Sequence, residues 1–177
     1  ATDEEITAFD LPVTGSIPPE LNGLYVRNGA NPKSGSSPHW FFGDGMVHGV
    51  YFRDRKVSYR NRYVQTAALA GERADGRSVS PGVMGPFDYN VSQFGIKDTS
   101  NTDVFCYNGD LMTLWYNAGH PYRLDSQTLE TRGYYELQGR QQRRMSAHSK
   151  VDWSTGELLF FNYSKHAPYM HYGVVDR

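Results

Sequence analysis

Turn signals punctuate this chain so closely that no long helix fits between them. Gly43-Asp44-Gly45, the "RDRK" of Arg53 to Lys56, Asn108-Gly109-Asp110, "SQT", "DWSTG" and "SKHAP" each separate short apolar or alternating runs. Gly, Asn and Asp tolerate the left-handed backbone of tight turns, so each cluster can fold the chain back on itself. "GLYVRNG" (Gly23 to Gly29) reads as a short strand closed by Asn28-Gly29. "MVHGVYF" (Met46 to Phe52) and "VSYRNRYVQT" (Val57 to Thr66) read as a hairpin, with Met46, His48, Val50 and Phe52 on one face. "TDVFCY" and "LMTLWYN" form a second pair, and "PYRLD", "GYYEL", "SAHSKVD", "ELLFFNY" and "YMHYGVVD" follow at short intervals. Only the stretch from Ala67 to Ser100 lacks a pattern, and it reads as a long loop.

Many short antiparallel strands with regular turns predict an all-β sandwich, barrel or propeller. The 13 Tyr, 9 Phe and 3 Trp, set among 18 Gly and 9 Pro, agree with strands and turns. At 177 residues the chain can build a real core. No clean repeat stands out, though strand pairs recur loosely at propeller-blade spacing. The strand ending at Val174-Val175-Asp176 would be an open sheet edge.

Charge and composition exclude several classes. The 18 Lys+Arg nearly cancel the 19 Asp+Glu, so there is no basic field for nucleic acid. The single cysteine, Cys106, rules out a disulfide within the chain. Its apolar neighbours predict a buried structural thiol. No apolar run approaches the ~18 residues of a membrane span. The polar, acidic "ATDEEITAFD" shows no signal peptide, so the expected compartment is cytoplasmic.

No local motif announces chemistry. There is no HxH, HExxH, CxxC or GxSxG, and no carboxylate pair can be chosen from spacing. "FFGDGMVHG" lacks the Lys-Ser/Thr of a phosphate loop, and its glycines read as turn residues. His39, His48, His120, His166 and His171 read as solvated or structural. His148 lies in "SAHSKVD", whose alternation places Ser146, His148 and Lys150 on one strand face. Taken alone, it is a hydrogen-bonded strand histidine; a metal would need ligands brought together by the fold.

Several stretches in order change that reading. "GSIPPELNGLYVRNGANP" (Gly15 to Pro32), "HWFFGDGMVHGVYF" (His39 to Phe52), "NRYVQT" (Asn61 to Thr66) and "NTDV" (Asn101 to Val104) come first. "AGHPYRLDSQTLET" (Ala118 to Thr131), "SAHSKVDWSTGEL" (Ser146 to Leu158) and "YMHYGVVD" (Tyr169 to Asp176) follow. Together they resemble the N-terminal part of a carotenoid cleavage oxygenase, across nearly the whole chain.

The resemblance implies a seven-bladed β-propeller, of which this chain would be an N-terminal fragment of about three blades at about 40–50 residues each. It implies an iron(II) held on the axis by four histidines, with glutamates behind them, and dioxygen added across a carbon–carbon double bond. His148, in "SAHSK", matches the first ligand. The other three histidines match nothing in these residues. Asn117 stands where the family carries its first supporting glutamate; it can accept a hydrogen bond but supplies no carboxylate basicity.

Stilbene-cleaving relatives carry a lysine at the place of Tyr116 and a phenol-binding tyrosine at that of Met84. Both differences favour an apolar polyene, a carotenoid or apocarotenoid, as substrate. Phe41, Tyr169 and their aromatic neighbours are expected mainly to pack, with some lining a tunnel. Carotenoids dissolve in bilayers, which makes a peripheral membrane contact plausible without any clear anchor. Two rivals remain: a lignostilbene-type dioxygenase on the same fold, and a non-catalytic binding module derived from a propeller.

Overall fold

A computed structural model describes residues 2–33, 39–76, 95–116, 119–136, 144–164 and 166–176. They form three antiparallel sheets met one after another along the chain. The first contains β1 (Thr7–Ala8), β2 (Gly23–Asn31), β3 (Asp44–Arg53) and β4 (Lys56–Tyr63), in the order β1-β4-β3-β2. The second is a plain meander of β5 (Asp103–Tyr107), β6 (Asp110–Leu114), β7 (Tyr122–Leu124) and β8 (Thr131–Tyr134). The third joins β9 (Lys150–Val151), β10 (Leu158–Tyr163) and β11 (Met170–Val175) in the order β11-β10-β9.

The turns sit where the sequence places them. Arg53 pairs with Lys56, leaving a two-residue loop in which Asp54 and Arg55 have φ of 51° and 62°. That is the primed turn whose twist matches a hairpin. Asn108 and Gly109, at φ 48° and 84°, do the same between β5 and β6. Asp152 closes the β9–β10 turn by accepting from the Ser154 amide at 2.8 Å and its hydroxyl at 2.6 Å.

Four expectations are corrected. Strand β2 runs past Asn28-Gly29 to Asn31, because Gly29, Ala30 and Asn31 stay paired with Met46, Gly45 and Asp44. The stretch after Ala67 opens with a helix, α1 (Ala67–Asp75), so the chain is mostly rather than wholly β. Thr66 caps α1 by accepting from the Leu69 amide at 3.1 Å, and Gly76 ends it at φ 68°. Leu69 packs with Met46 and Tyr63 on the first sheet. Lys97 then ties Glu72 of α1 to Asp44 of β3, at 2.5 and 2.6 Å, with all three side chains nearly buried.

The third correction concerns the glycines of "FFGDGM". They serve close approach rather than a turn. A Cβ on Gly43 would lie 2.3 Å from the Asn31 nitrogen, and one on Gly45 would lie 2.5 Å from the Ser100 carbonyl oxygen. The fourth is Cys106, which is exposed. It lies on edge strand β5 and lines an 820 Å³ cleft with Leu24, Val26 and Leu111, where the first two sheets part.

The core follows from β6. Its residues alternate between two interfaces, and both are covered. Leu111 joins Val47, Val64, Tyr122, Leu124 and Leu129 against the first sheet. Met112 and Leu114 point the other way, into a cluster with Tyr107, Met145, Ala147 and Leu158 of the third sheet. Thr113, the one polar residue facing the first sheet, is fully buried and bonded to the Ser100 hydroxyl at 2.9 Å. A strand covered on both faces reads as a near-continuous apolar run, and "LMTL", broken only by Thr113, does.

Leu114 is 0 % exposed at the junction of the second and third sheets. Leu114→Ala is therefore expected to cost about 2–5 kcal/mol, as leucine truncations in close-packed cores do. Urea denaturation of the natural full-length chain would measure it. A loss under about 0.5 kcal/mol, the range of neutral surface changes, would contradict this packing.

Candidate metal centre

The segment that carries His148 is wedged between the second and third sheets. On one side Ser146 bridges to Trp115 just past β6, and the Ala147 amide donates to the Trp115 carbonyl at 3.2 Å. On the other, the Ser146 amide donates to the Phe161 carbonyl of β10 at 2.8 Å. Met145, Ser146, Ala147 and Ser149 are all buried. This explains the small residues around the histidine: larger ones at 147 and 149 would not fit.

His148 itself is not in a strand, contrary to the expectation from alternation. Its φ is +72°, the left-handed region, and its side chain is 67 % exposed. Strand geometry would have aimed the imidazole the same way as the buried Ser146. The left-handed residue turns it outward instead. Asp103, at the start of β5, holds this conformation: its Oδ2 accepts the His148 amide at 2.8 Å. The same oxygen lies 3.7 Å from His148 Nδ1.

A cleft of about 550 Å³ lies beside these elements, lined by Arg27, Gly29, Ala30, Trp40, Phe41, Asn101, Thr102 and Tyr116. Thr102 and Tyr116 are the chain neighbours of Asp103 and Trp115, which grip the His148 segment. The cleft wall is held by hydrogen bonds. Asn101 Nδ2 donates to the carbonyls of Phe41 at 3.0 Å and Gly43 at 2.7 Å. Thr102 Oγ1 accepts the Tyr116 amide at 3.1 Å. Tyr163 reaches across from β10 to donate to the Tyr116 carbonyl.

Phe41 and Tyr169 are largely exposed, where packing had been expected of most aromatics here, and the Phe41 ring meets those of His39 at 4.9 Å and Tyr116 at 6.5 Å. They are 61 % and 66 % exposed, and Trp40 is 91 % exposed. Phe41 and Trp40 sit on a single 3-10 turn (Trp40–Phe42), and both line the cleft.

Two of the other histidines have local partners: His48 meets the Tyr59 hydroxyl at 2.7 Å. Burial, helped by Arg27, lowers its pKa. His39 accepts the Phe41 amide at 3.1 Å. Asn117 and Met84 lie outside the described residues. No three His, Cys, Asp or Glu side chains converge among the described residues. The donor chemistry present, one outward imidazole with a carboxylate behind it, would fit one corner of a histidine-held divalent metal, whose other ligands would have to come from outside the described residues.

Asp98 anchors the stretch on the far side of this site. Its carboxylate accepts the amides of Ser100 at 3.1 Å and His120 at 3.0 Å. It lies so close beneath Gly119 that a Cβ there would come within 2.6 Å of Oδ2. Burial pushes its pKa up to about 6, against the pull of those two amides and Arg144.

The comparisons with known proteins agree on the class. The family model described as retinal pigment epithelial membrane protein matches residues 1–177. Carotenoid 9,10(9',10')-cleavage dioxygenase 1 of Arabidopsis thaliana is 37% identical over 196 residues, covering 99% of this chain and 36% of the relative. Isoeugenol monooxygenase of Pseudomonas nitroreducens is 35% identical over 180 residues, covering 98% and 37%. Among solved structures, the Pseudomonas brassicacearum lignostilbene dioxygenase superposes with a TM-score of 0.86 at 33% identity, covering 99% of this chain and 38% of that one.

The fold and sequence thus define an oxygenase-family chain built of antiparallel sheets. It belongs to the retinal pigment epithelial membrane protein family, that of the carotenoid cleavage oxygenases. It spans a little over a third of the length of these relatives. No helix among the described residues is long and apolar enough to cross a membrane.

Sequence reasoning reached His148 through the resemblance and missed Asp103, although "NTDV" was among the matching stretches. No spacing rule links residues 45 positions apart. The Asp98 geometry carries a pH signature. A carboxyl whose folded pKa is raised adds stability that is fully present below its unfolded value near 4 and is lost as pH rises through about 6. Asp98→Asn should flatten the fall in melting temperature between pH 4 and 7; an unchanged slope would contradict the burial of this carboxylate.

Proposed function

We propose that the natural protein is a non-haem iron(II) dioxygenase that cleaves a carbon–carbon double bond of a carotenoid or apocarotenoid to two carbonyl products. Residues 1–177 are then the N-terminal part of a seven-bladed propeller domain. His148 supplies one of four imidazole ligands, and the others come from residues beyond the matches found here. The observation that carries this is His148 itself, turned outward by a left-handed backbone and gripped by two sheets.

When bound, iron(II) supplies the activation of dioxygen, and imidazole ligands leave its full positive charge uncompensated. The chain's own residues do the rest. The cleft along Trp40, Phe41 and Tyr116 offers apolar and aromatic walls to a conjugated chain. Asn101 and Thr102 fix that wall against the strand leading to Asp103. With Asn117 in place of a glutamate, one imidazole would be oriented by a neutral acceptor rather than a carboxylate.

A second substrate reading has specific support. The lignostilbene dioxygenase superposes at a TM-score of 0.86, and isoeugenol monooxygenase matches as fully as the carotenoid enzymes do. The polyene reading rests on Tyr116, whose half-buried phenol has its pKa raised by burial and stays neutral, in place of a lysine.

The test is iron content and product analysis of the natural full-length chain with a carotenoid, an apocarotenal, a stilbene and isoeugenol. Stoichiometric iron and cleavage of the polyenes are expected. Turnover of the stilbene or isoeugenol alone would overturn the polyene reading. An iron-free, inactive protein would favour a binding module. His148→Ala should cut iron affinity by more than the roughly 10–100-fold that residues behind a ligand cost. Unchanged iron binding by that variant, measured by chelator competition, would remove His148 from the site.

A further inference from the structure

We infer that Asp103 is a positioning residue for His148, a carboxylate that sets which imidazole nitrogen faces the metal; this rests on the iron reading above. One carboxylate oxygen makes two approaches to the same residue. Asp103 Oδ2 accepts the His148 amide at 2.8 Å and lies 3.7 Å from ring Nδ1. The first contact holds the left-handed backbone that turns the ring outward. The second puts negative charge on the Nδ1 side, which favours the tautomer with its proton on Nδ1 and a free lone pair on Nε2.

The carboxylate is itself locked. Asp103 Oδ1 accepts the Val104 amide at 2.9 Å. Its carbonyl accepts from Asn28 Nδ2 at 3.2 Å, and the same amide group donates to the Ser100 carbonyl at 2.8 Å. Asn28 of the first sheet therefore fixes the start of the second sheet, which in turn fixes His148 beside the third. Each carboxylate oxygen already has an amide donor, so the group cannot swing away without losing one.

At 3.7 Å the Nδ1 contact is longer than a hydrogen bond. A metal on Nε2 would make the Nδ1 proton more acidic and strengthen its attraction to the carboxylate beside it. Carboxylate–histidine–metal relays raise ligand basicity in this way.

The experiment compares Asp103→Asn, Asp103→Ala and His148→Ala in the natural full-length chain. Asparagine keeps one oxygen for the His148 amide and gives up the charge and the acceptor for the Val104 amide; alanine loses all three. Chelator competition for iron(II), the d–d absorption of the cobalt(II)-loaded protein, and the melting temperature of the metal-free protein are the readouts. Asp103→Asn should melt a little below the parent because the Val104 amide loses its acceptor, bind iron about tenfold more weakly and shift the cobalt bands, which that lost bond alone would not do. Asp103→Ala should bind more weakly still and melt lower; if it does not fold, the asparagine variant alone decides.

Parent-like iron affinity and an unchanged cobalt spectrum in Asp103→Asn would overturn the inference. A parent protein without iron, or a His148→Ala variant that binds it normally, would instead overturn the iron reading and this inference with it. That failure shows in the parent or in His148→Ala, and so is distinguishable from a failure confined to Asp103.

Discussion

Strand β6 is buried on both faces, and the rest of the architecture depends on that. Leu111 fills the interface with the first sheet, while Met112 and Leu114 fill the interface with the third. A two-residue alternation thus holds three sheets in register, as the period of a strand requires. The arrangement leaves nowhere for water along β6, so its polar residue, Thr113, must find a partner and does so in Ser100. That bond in turn pins the 99–103 segment, against which Gly45 packs without a side chain.

The metal candidate inherits its rigidity from this centre. Trp115 continues β6 and bridges to Ser146, and Asp103 opens β5 beside it. His148 therefore hangs between residues whose positions are set by the sheet buried most deeply. The backbone of His148 is fixed this way, while its ring stays 67 % exposed. The exposed aromatics on the turn at Trp40–Phe42 stand at the edge of the same assembly, fixed through Asn101 and through ring contacts with His39 and Tyr116.

What could be read beforehand divides along physical lines. The hairpins at Asp54-Arg55 and Asn108-Gly109 were legible because turn chemistry is local. The helix at Ala67–Asp75 carried its own cap residues, Thr66 and Gly76. Its apolar face was too weak for a period to show, since little beyond Leu69 is buried. Cys106 was misplaced because burial was inferred from neighbours, and an edge strand facing a cleft exposes what an inner strand would hide. The left-handed φ of His148 and its link to Asp103 depend on two distant segments meeting, which no local pattern encodes. The family resemblance reached the histidine but not the reason for its orientation.

The most direct measurement is a crystal structure of the iron-loaded natural full-length chain with an anomalous difference map at the iron edge. One strong peak is expected at His148 Nε2, with Nδ1 turned to the Asp103 carboxylate. No peak at His148, or a metal bound through Nδ1, would contradict it.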